Sequence, residues 1–351
     1  MKTYEAASYI STFAFITTLL TNSFLIFLTI FHIKLIFGTY KKMVVIFATM
    51  GILFSFLEAI VRPCVHNFNG GFIFFSLNLN HSLPNLVLSI GIACYSGFFN
   101  SLLSFVTMQF IFRCLTLTGS PLIRYFRGWR VMCWSVFVMF PCAFFAVLIA
   151  ILIPPDDYSD AYMQEELFQI YQLRIQEVPR FIMIPYNNEG VRWKHVGFVV
   201  TTSVSVVFYL SVIGYCALTM RKEMNNRLKA MSKRNQRLET QFFKALLAQS
   251  AFPTFLLALP TSPVLLIPFF DMKVSLQSGF LFSLFSLYPP MDSIAMMMII
   301  KEYKTRVKSK KILGFFLYLE SFKSSSQNGE ILMDLVLVES WIPQQIQAPF
   351  N

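Results

Sequence analysis

Few residues of this chain could do chemistry, and most of them lie inside apolar stretches where a charge is costly. The strongest local signal is Tyr288-Pro289-Pro290-Met291-Asp292. Two prolines there interrupt a helical hydrogen-bond ladder, which lipid tolerates only where neighbours satisfy the freed groups. An Asp three positions beyond Pro289, if buried in a bilayer, is expensive and becomes a functional candidate by default. Glu58 is the only acidic residue well inside the first six apolar stretches, and Arg62 follows four positions later in the order that favours an ion pair on one helix face. A structural pair closed off by Pro63 is the leading reading, with Glu58 lining a ligand cavity as the alternative. Arg113, in Phe112-Arg113-Cys114, ends the third stretch. It either marks the membrane edge or reaches between helices toward a signalling partner.

Chemistry of other kinds finds no support. The six cysteines, Cys64, Cys94, Cys114, Cys133, Cys142 and Cys216, form no CxxC pair, and only Cys64 falls in an external connection. That pattern supports neither a zinc site nor a disulfide framework. No GxGD, GxSxG or HExxH occurs, so no metal, no cofactor and no enzymatic activity are expected.

The elements that must position these residues are seven apolar stretches: Tyr9–Phe31, Met43–Ile60, Val87–Phe112, Val131–Ile153, Val196–Met220, Ala245–Phe270 and Val274–Ile300. A bilayer core of ~30 Å needs about 20 helical residues, and each stretch is close to that length or beyond it. The basic residues between them alternate. The first, third and fifth connections and the C-terminal tail hold 3, 4, 8 and 7 Lys plus Arg, 22 of the 29; the N-terminus and the other connections hold 7. Positive residues stay cytoplasmic, which predicts an all-α membrane protein, a seven-transmembrane bundle with its N-terminus outside and its C-terminus inside. That is the topology of a G-protein-coupled receptor. The expected division is an extracellular N-terminus over 1–8, a receptor domain over 9–311, and an atypical cytoplasmic tail over 312–351.

A hydrophobic share of 56 % with only 13 % charged residues excludes an ordinary soluble protein. The net charge of +11 does not indicate nucleic acid, because the basic residues sit in short connections where topology and anionic membrane lipid already account for them. The first stretch is too long for a signal-peptide core and reads as an uncleaved anchor.

The outer halves of stretches three, five, six and seven carry Tyr95, Phe98, Asn100, Thr201, Thr202, Phe255, Thr261, Gln277 and Phe280. With Glu58, this mixture suits a small, mostly apolar ligand held by a few hydrogen bonds. The external connection Pro154–Lys194 is acidic in its first half, at Asp156, Asp157, Asp160, Glu165 and Glu166, and reads as a solvated loop or as a lid over that ligand. Asn80-His81-Ser82 is a glycosylation sequon on the same side. On the inner side the fifth connection carries Arg221, Lys222, Arg227, Lys229 and Lys244 among its basic residues. Met224, Leu228, Met231, Leu238 and Phe242 recur at helical spacing, which predicts an amphipathic helix prolonging stretches five and six toward a cytoplasmic partner.

Several of these residues together resemble a family. Asn22-Ser23, Gly38-Thr39-Tyr40-Lys41, Glu58, Arg62-Pro63, His66, Arg113, Lys244-Ala245-Leu246 with Gln249 and Pro253, and Tyr288-Pro289 with Asp292 are similar to nematode seven-transmembrane chemoreceptors, serpentine receptor class r of the Str/Srj group. The resemblance spans roughly residues 9–308. It implies a chemosensory receptor for odorant or pheromone-like molecules in the plasma membrane, in the cilium of a sensory neuron, coupled to a heterotrimeric G protein. Arg113, Tyr288, Pro289, Asp292 and the basic helix would then form the signalling end. Cys114 and Ser293 depart from the family, which usually has an aromatic and a Pro at those positions.

The main alternative is a seven-helix small-solute transporter, which would carry polar groups near the midplane of several helices; only Asp292 clearly qualifies. A retinal protein would need a Lys midway along the last stretch, and the nearest lysines, Lys273 and Lys301, stand at its two ends. An odour-gated channel of the insect type would place the N-terminus inside, against the charge count.

Overall fold

The computed structural model describes residues 3–33, 38–78, 83–126, 128–227, 232–255, 259–270, 274–279 and 283–307. Five helical segments within it, Ala7–His32, Thr39–Val61, Asn85–Thr118, Met132–Leu152 and Trp193–Asn225, are each long and apolar enough to cross a membrane. They belong to α1 (Thr3–Phe27, prolonged by a turn of wider π-helix over Leu28–His32), α2 (Thr39–Val61), α3 (Asn85–Thr118), α4 (Arg130–Leu152) and α6 (Trp193–Arg227). Such helices are what lipid demands, because every backbone polar group must be satisfied within the segment.

The last two apolar stretches are built from shorter pieces. The sixth holds the end of α7 (Lys233–Pro253), from Ala245 on, and all of α8 (Leu259–Leu266). The seventh does not begin as helix at Val274. Ser275–Leu276 is strand β6, and the helix proper is α9 (Tyr288–Ile299), entered through a 3-10 turn at Phe285–Leu287. Pro289 and Pro290 therefore do not break a continuous helix. They occupy its first turn, where the missing N–H groups would have no intrahelical acceptor anyway. α10 (Lys301–Val307) ends the described chain.

α3 is the central post. Its 34 residues span about 51 Å at 1.5 Å each, well past a bilayer core. Gly97 lets α4 come close: a Cβ there would lie 2.2 Å from the carbonyl oxygen of Cys142. The helix also runs beyond Arg113 to Thr118, so Arg113 does not end it.

At one end of the bundle the connections fold into a cap. β1 (Pro63–Phe68) and β2 (Gly71–Ser76) form an antiparallel hairpin, β3 (Arg180–Met183) adds to β2, and β6 adds to β1, giving the order β3-β2-β1-β6. The short pair β4 (Tyr186–Asn187) and β5 (Gly190–Val191) leads into α6. Helix α5 (Asp157–Tyr171) packs on this sheet through Met163, Leu167 and Tyr171, spaced by four, against Cys64, Ile73, Phe75 and Ile182.

Two acidic residues of this connection, Asp156 and Asp160, are structural, while Asp157 and Glu165 are exposed. Asp156 caps α5, accepting from the Ser159 N–H at 2.8 Å, and pairs with Arg192. Asp160 takes the Arg180 guanidinium in two bonds, one of them 2.7 Å from Nε. Partial burial pushes Asp156 up, but Ser159 and Arg192 outweigh it and hold its carboxyl below the usual range.

Candidate functional site

Two candidate regions emerge, a cavity under the cap and a polar and aromatic cluster at the opposite end of the bundle. The cavity encloses about 390 Å³. Val65, Phe72 and Phe74 of the cap form its roof, while Tyr95, Phe99 and Asn100 of α3 and Phe198, Thr202 and Val206 of α6 form much of its wall. Val264 and Phe285 line the remaining side. Such a volume and an apolar lining suit a small organic molecule.

Three sequence candidates meet here: Tyr95, Asn100 and Thr202. Tyr95 is buried and stacked on Phe54 at 4.9 Å, yet its hydroxyl has no hydrogen-bond partner among the described residues. A buried polar group normally finds a partner, so this hydroxyl is left with unused hydrogen-bonding capacity. Asn100 Oδ1 accepts from Ser205 at 3.3 Å, and the Thr202 hydroxyl donates to its own helix at Phe198, 2.8 Å away.

The other candidates are dispersed. Phe98 packs against Phe54 at 5.7 Å without lining the cavity. Phe255 is 65 % exposed and does not line it. Thr201 is half-buried and does not line it, and Gln277 sits at the cap edge just after β6. Phe280, Asn80 and Lys229 lie outside the described residues, as do the side chains of Thr261 and Arg227 and the tail over 312–351.

Glu58 faces a second cavity, of about 540 Å³, between α1, α2 and the cap. The expected ion pair with Arg62 does not form. α2 ends at Val61 and Arg62 takes the left-handed conformation with φ 48°, which turns its side chain off the helix face. Glu58 instead accepts hydrogen bonds from Ser11, at 2.9 Å, and from Ser286. Polar side chains of neighbouring helices thus satisfy the buried carboxyl, as intramembrane acids require.

At the other end Arg113 is buried, with 8 % exposure, and is not an edge marker. Its guanidinium carbon lies 3.9 Å from the Tyr40 ring centre and 4.1 Å from that of Phe242, in the angle between two rings set edge to face. Glu239 approaches to 3.8 Å. A desolvated cation over aromatic faces gains ~2 kcal/mol. α2, α3 and α7 are held together through this one side chain.

Deeper in the bundle Asp292 accepts from Gln249 Nε2 at 3.1 Å, and its Oδ1 has no partner among the described residues. The next residue, Ser293, donates to Asn22 Oδ1 at 2.5 Å, and Asn22 in turn donates to the Ala48 carbonyl at 3.0 Å. Gly51 makes room for this network, since a Cβ there would lie 2.5 Å from Asn22 Nδ2. Tyr288 is fully buried at the edge of Phe47. Arg221, Lys222 and Lys244 are exposed on α6 and α7, which continue to Arg227 and begin at Lys233 respectively.

Sequence reasoning missed the roof residues Phe72 and Phe74 and the role of Phe242. Among 40 Phe, no single one stands out by type or spacing. Tyr40, Asn22 and Gln249 were visible as parts of recurring motifs, but not as partners of Arg113, Ser293 and Asp292.

Comparison with known proteins agrees with this architecture. A family model described as "Serpentine type 7TM GPCR chemoreceptor Str" matches residues 7–308. A protein named G-protein coupled receptor str-33 from Caenorhabditis elegans is 38 % identical over 303 residues, covering 84 % of this chain and 88 % of the relative. Serpentine receptor class r-10 from the same organism is 27 % identical, over 77 % of this chain and 80 % of its own length. Its Caenorhabditis briggsae namesake is 26 % identical over the same shares.

Proposed function

Because the chain belongs to the Str family of serpentine seven-transmembrane chemoreceptors, we propose that it binds a small, mostly apolar chemical under its cap and signals to a heterotrimeric G protein. The observation that carries this reading is the roofed 390 Å³ cavity lined by Tyr95, whose hydroxyl lies buried with no partner among the described residues. A ligand there would touch α3, α6, α8 and Phe285, the last just ahead of α9. Contacts that draw α8 and Phe285 inward would shift α7 and α9 at their far ends. Those helices carry Phe242, Glu239 and Asp292, so the shift would loosen the seat of Arg113 and open the basic face formed by Arg221, Lys222 and Lys244. Bistable packing of this kind turns a small displacement into a switch.

The cap would be extracellular and the Arg113 end cytoplasmic, in keeping with the distribution of basic residues. Expression of the protein at a cell surface with a G-protein readout tests the function. Ligand-evoked activation supports it, whereas solute flux that persists without G protein would favour a transporter. An N-terminal tag reachable only after permeabilisation would overturn the orientation. Tagged protein imaged in a sensory neuron would decide whether the membrane in question is ciliary.

A further inference from the structure

Outside both regions, a charged patch has no counter-ion among the described residues. The turn joining α3 to α4 forms a 3-10 helix, Pro121–Phe126, followed by Gly128 and Trp129. Two guanidinium groups lie beside one ring: the Cζ of Arg124 is 5.2 Å, and that of Arg130, at the start of α4, 5.9 Å, from the centre of Tyr125. Lys42, at the start of α2, reaches the same turn through the Gly128 carbonyl at 3.4 Å. None of the three makes an ion pair among the described residues, and no Asp or Glu occurs anywhere between Glu58 and Asp156. Arg130 is also the first residue of α4, where the helix dipole disfavours a cation. Three cations thus gather at one turn; Arg130 donates to the Arg124 carbonyl at 3.4 Å, but no carboxylate among the described residues neutralises any of them.

The turn itself is firmly seated. The Thr39 hydroxyl donates to the Phe126 carbonyl at 2.8 Å, Trp134 Nε1 donates to the Tyr125 carbonyl at 3.1 Å, and the Trp134 ring stacks on Phe126. Apolar groups flank the cations on the outside. Trp129 is 72 % exposed, and Met132, Val136, Phe137 and Phe140 continue an exposed strip down α4. On a spanning helix that strip faces acyl chains, with an exposed Trp at the headgroup level.

We propose that Arg124, Arg130 and Lys42 form a binding site for the phosphate of an anionic phospholipid whose acyl chains lie along the exposed face of α4. Charge complementarity calls for an anion, and the adjoining apolar strip calls for a lipid rather than a soluble phosphate ester. This site depends on the chain being membrane-spanning and on neither the ligand nor the G protein.

The test uses the full-length protein in nanodiscs containing dibrominated phosphatidylserine or dibrominated phosphatidylcholine, whose bromines quench nearby Trp fluorescence. Phosphatidylserine is expected to quench more strongly at equal mole fraction, and the excess should vanish in Trp129→Phe. Arg124→Gln and Arg130→Gln should each lower the preference about fivefold, the equivalent of ~1 kcal/mol per cation near an anionic surface. Arg124→Lys should retain most of it, and unchanged quenching by phosphatidylcholine shows that the variants are folded. Arg174→Gln, at the other end of the bundle, should leave the preference intact. Equal quenching by the two lipids, or an equal loss with Arg174→Gln, would overturn the proposal. So would full competition by soluble glycerophosphoserine, which would identify a free-phosphate site.

Discussion

Ser293 donates a 2.5 Å hydrogen bond to Asn22, 271 positions earlier, and so ties the middle of α9 to the last third of α1. Ser293 is where the resemblance to class r receptors leads one to expect Pro, which has no hydroxyl to give. The bond joins the helix that carries Asp292 to one that touches neither the cavity under the cap nor Arg113.

Removing this tie should cost stability. Ser293→Ala is expected to destabilise the detergent-solubilised protein by ~1 kcal/mol, typical of a polar pair between membrane helices. Gly51→Ala should cost more, because its Cβ would press on Asn22 at 2.5 Å and on the Pro289 Cβ at 3.2 Å. A thermal unfolding series on both variants checks the order. A Gly51→Ala protein as stable as the parent would contradict the packing.

Tyr95→Phe separates ligand binding from folding. The hydroxyl has no partner among the described residues, so its loss should leave the melting temperature unchanged or slightly raised. If a ligand uses it, the concentration for half-maximal response should rise about fivefold, the worth of one hydrogen bond. A dose–response curve that coincides with the parent's would exclude Tyr95 from the ligand site.

The seat of Arg113 makes opposite predictions for its two sides. Phe242→Leu removes one of its two aromatic faces and should raise signalling in the absence of ligand. Arg113→Gln should abolish ligand-evoked signalling while the protein still reaches the surface. Basal and stimulated G-protein activation, normalised to surface expression, measures both. Retained signalling in Arg113→Gln would remove it from the switch.

The cap should weaken in mild acid. His66 is 1 % exposed, beside Tyr171, with Nε2 3.1 Å from Glu166, which also accepts from Ser275 at 2.5 Å. Burial lowers its pKa below the ordinary 6.5, and Glu166 only partly offsets this. The folded protein then holds fewer protons at this site than the unfolded chain. Stability is accordingly complete above about pH 6.5 and declines as the pH falls below it, by no more than about 1.4 kcal/mol per unit. Melting temperatures from pH 7.5 to 5 should show a steeper decline in the parent than in His66→Gln. Parallel curves would refute the assignment.

Cys64 adds a second constraint on the cap. Burial pushes its thiol up to about 12, with Tyr171 3.9 Å away, so it remains a protonated packing group.

The apolar stretches, the helical extension of α6 and the early start of α7 were legible in the sequence, because length, hydropathy and helical period are local properties repeated along a segment. So was the family, carried by Tyr288-Pro289, Asp292, Arg113 and Gly38-Thr39-Tyr40-Lys41. What the tertiary structure alone decided is which of these residues meet. Glu58 stands four positions from Arg62 on paper, but the left-handed turn at Arg62 sends it to Ser11 and Ser286 instead. Gln277 looks like part of a spanning helix until β6 pairs with β1 and draws the segment into the cap. Phe72 and Phe74 read as loop residues, yet a hairpin sets them over the cavity. The reason is the same in each case. Local pattern determines whether a segment can be helical in lipid, while hydrogen bonds, strand pairings and ring contacts between segments depend on how those segments pack, which carries no periodic signature.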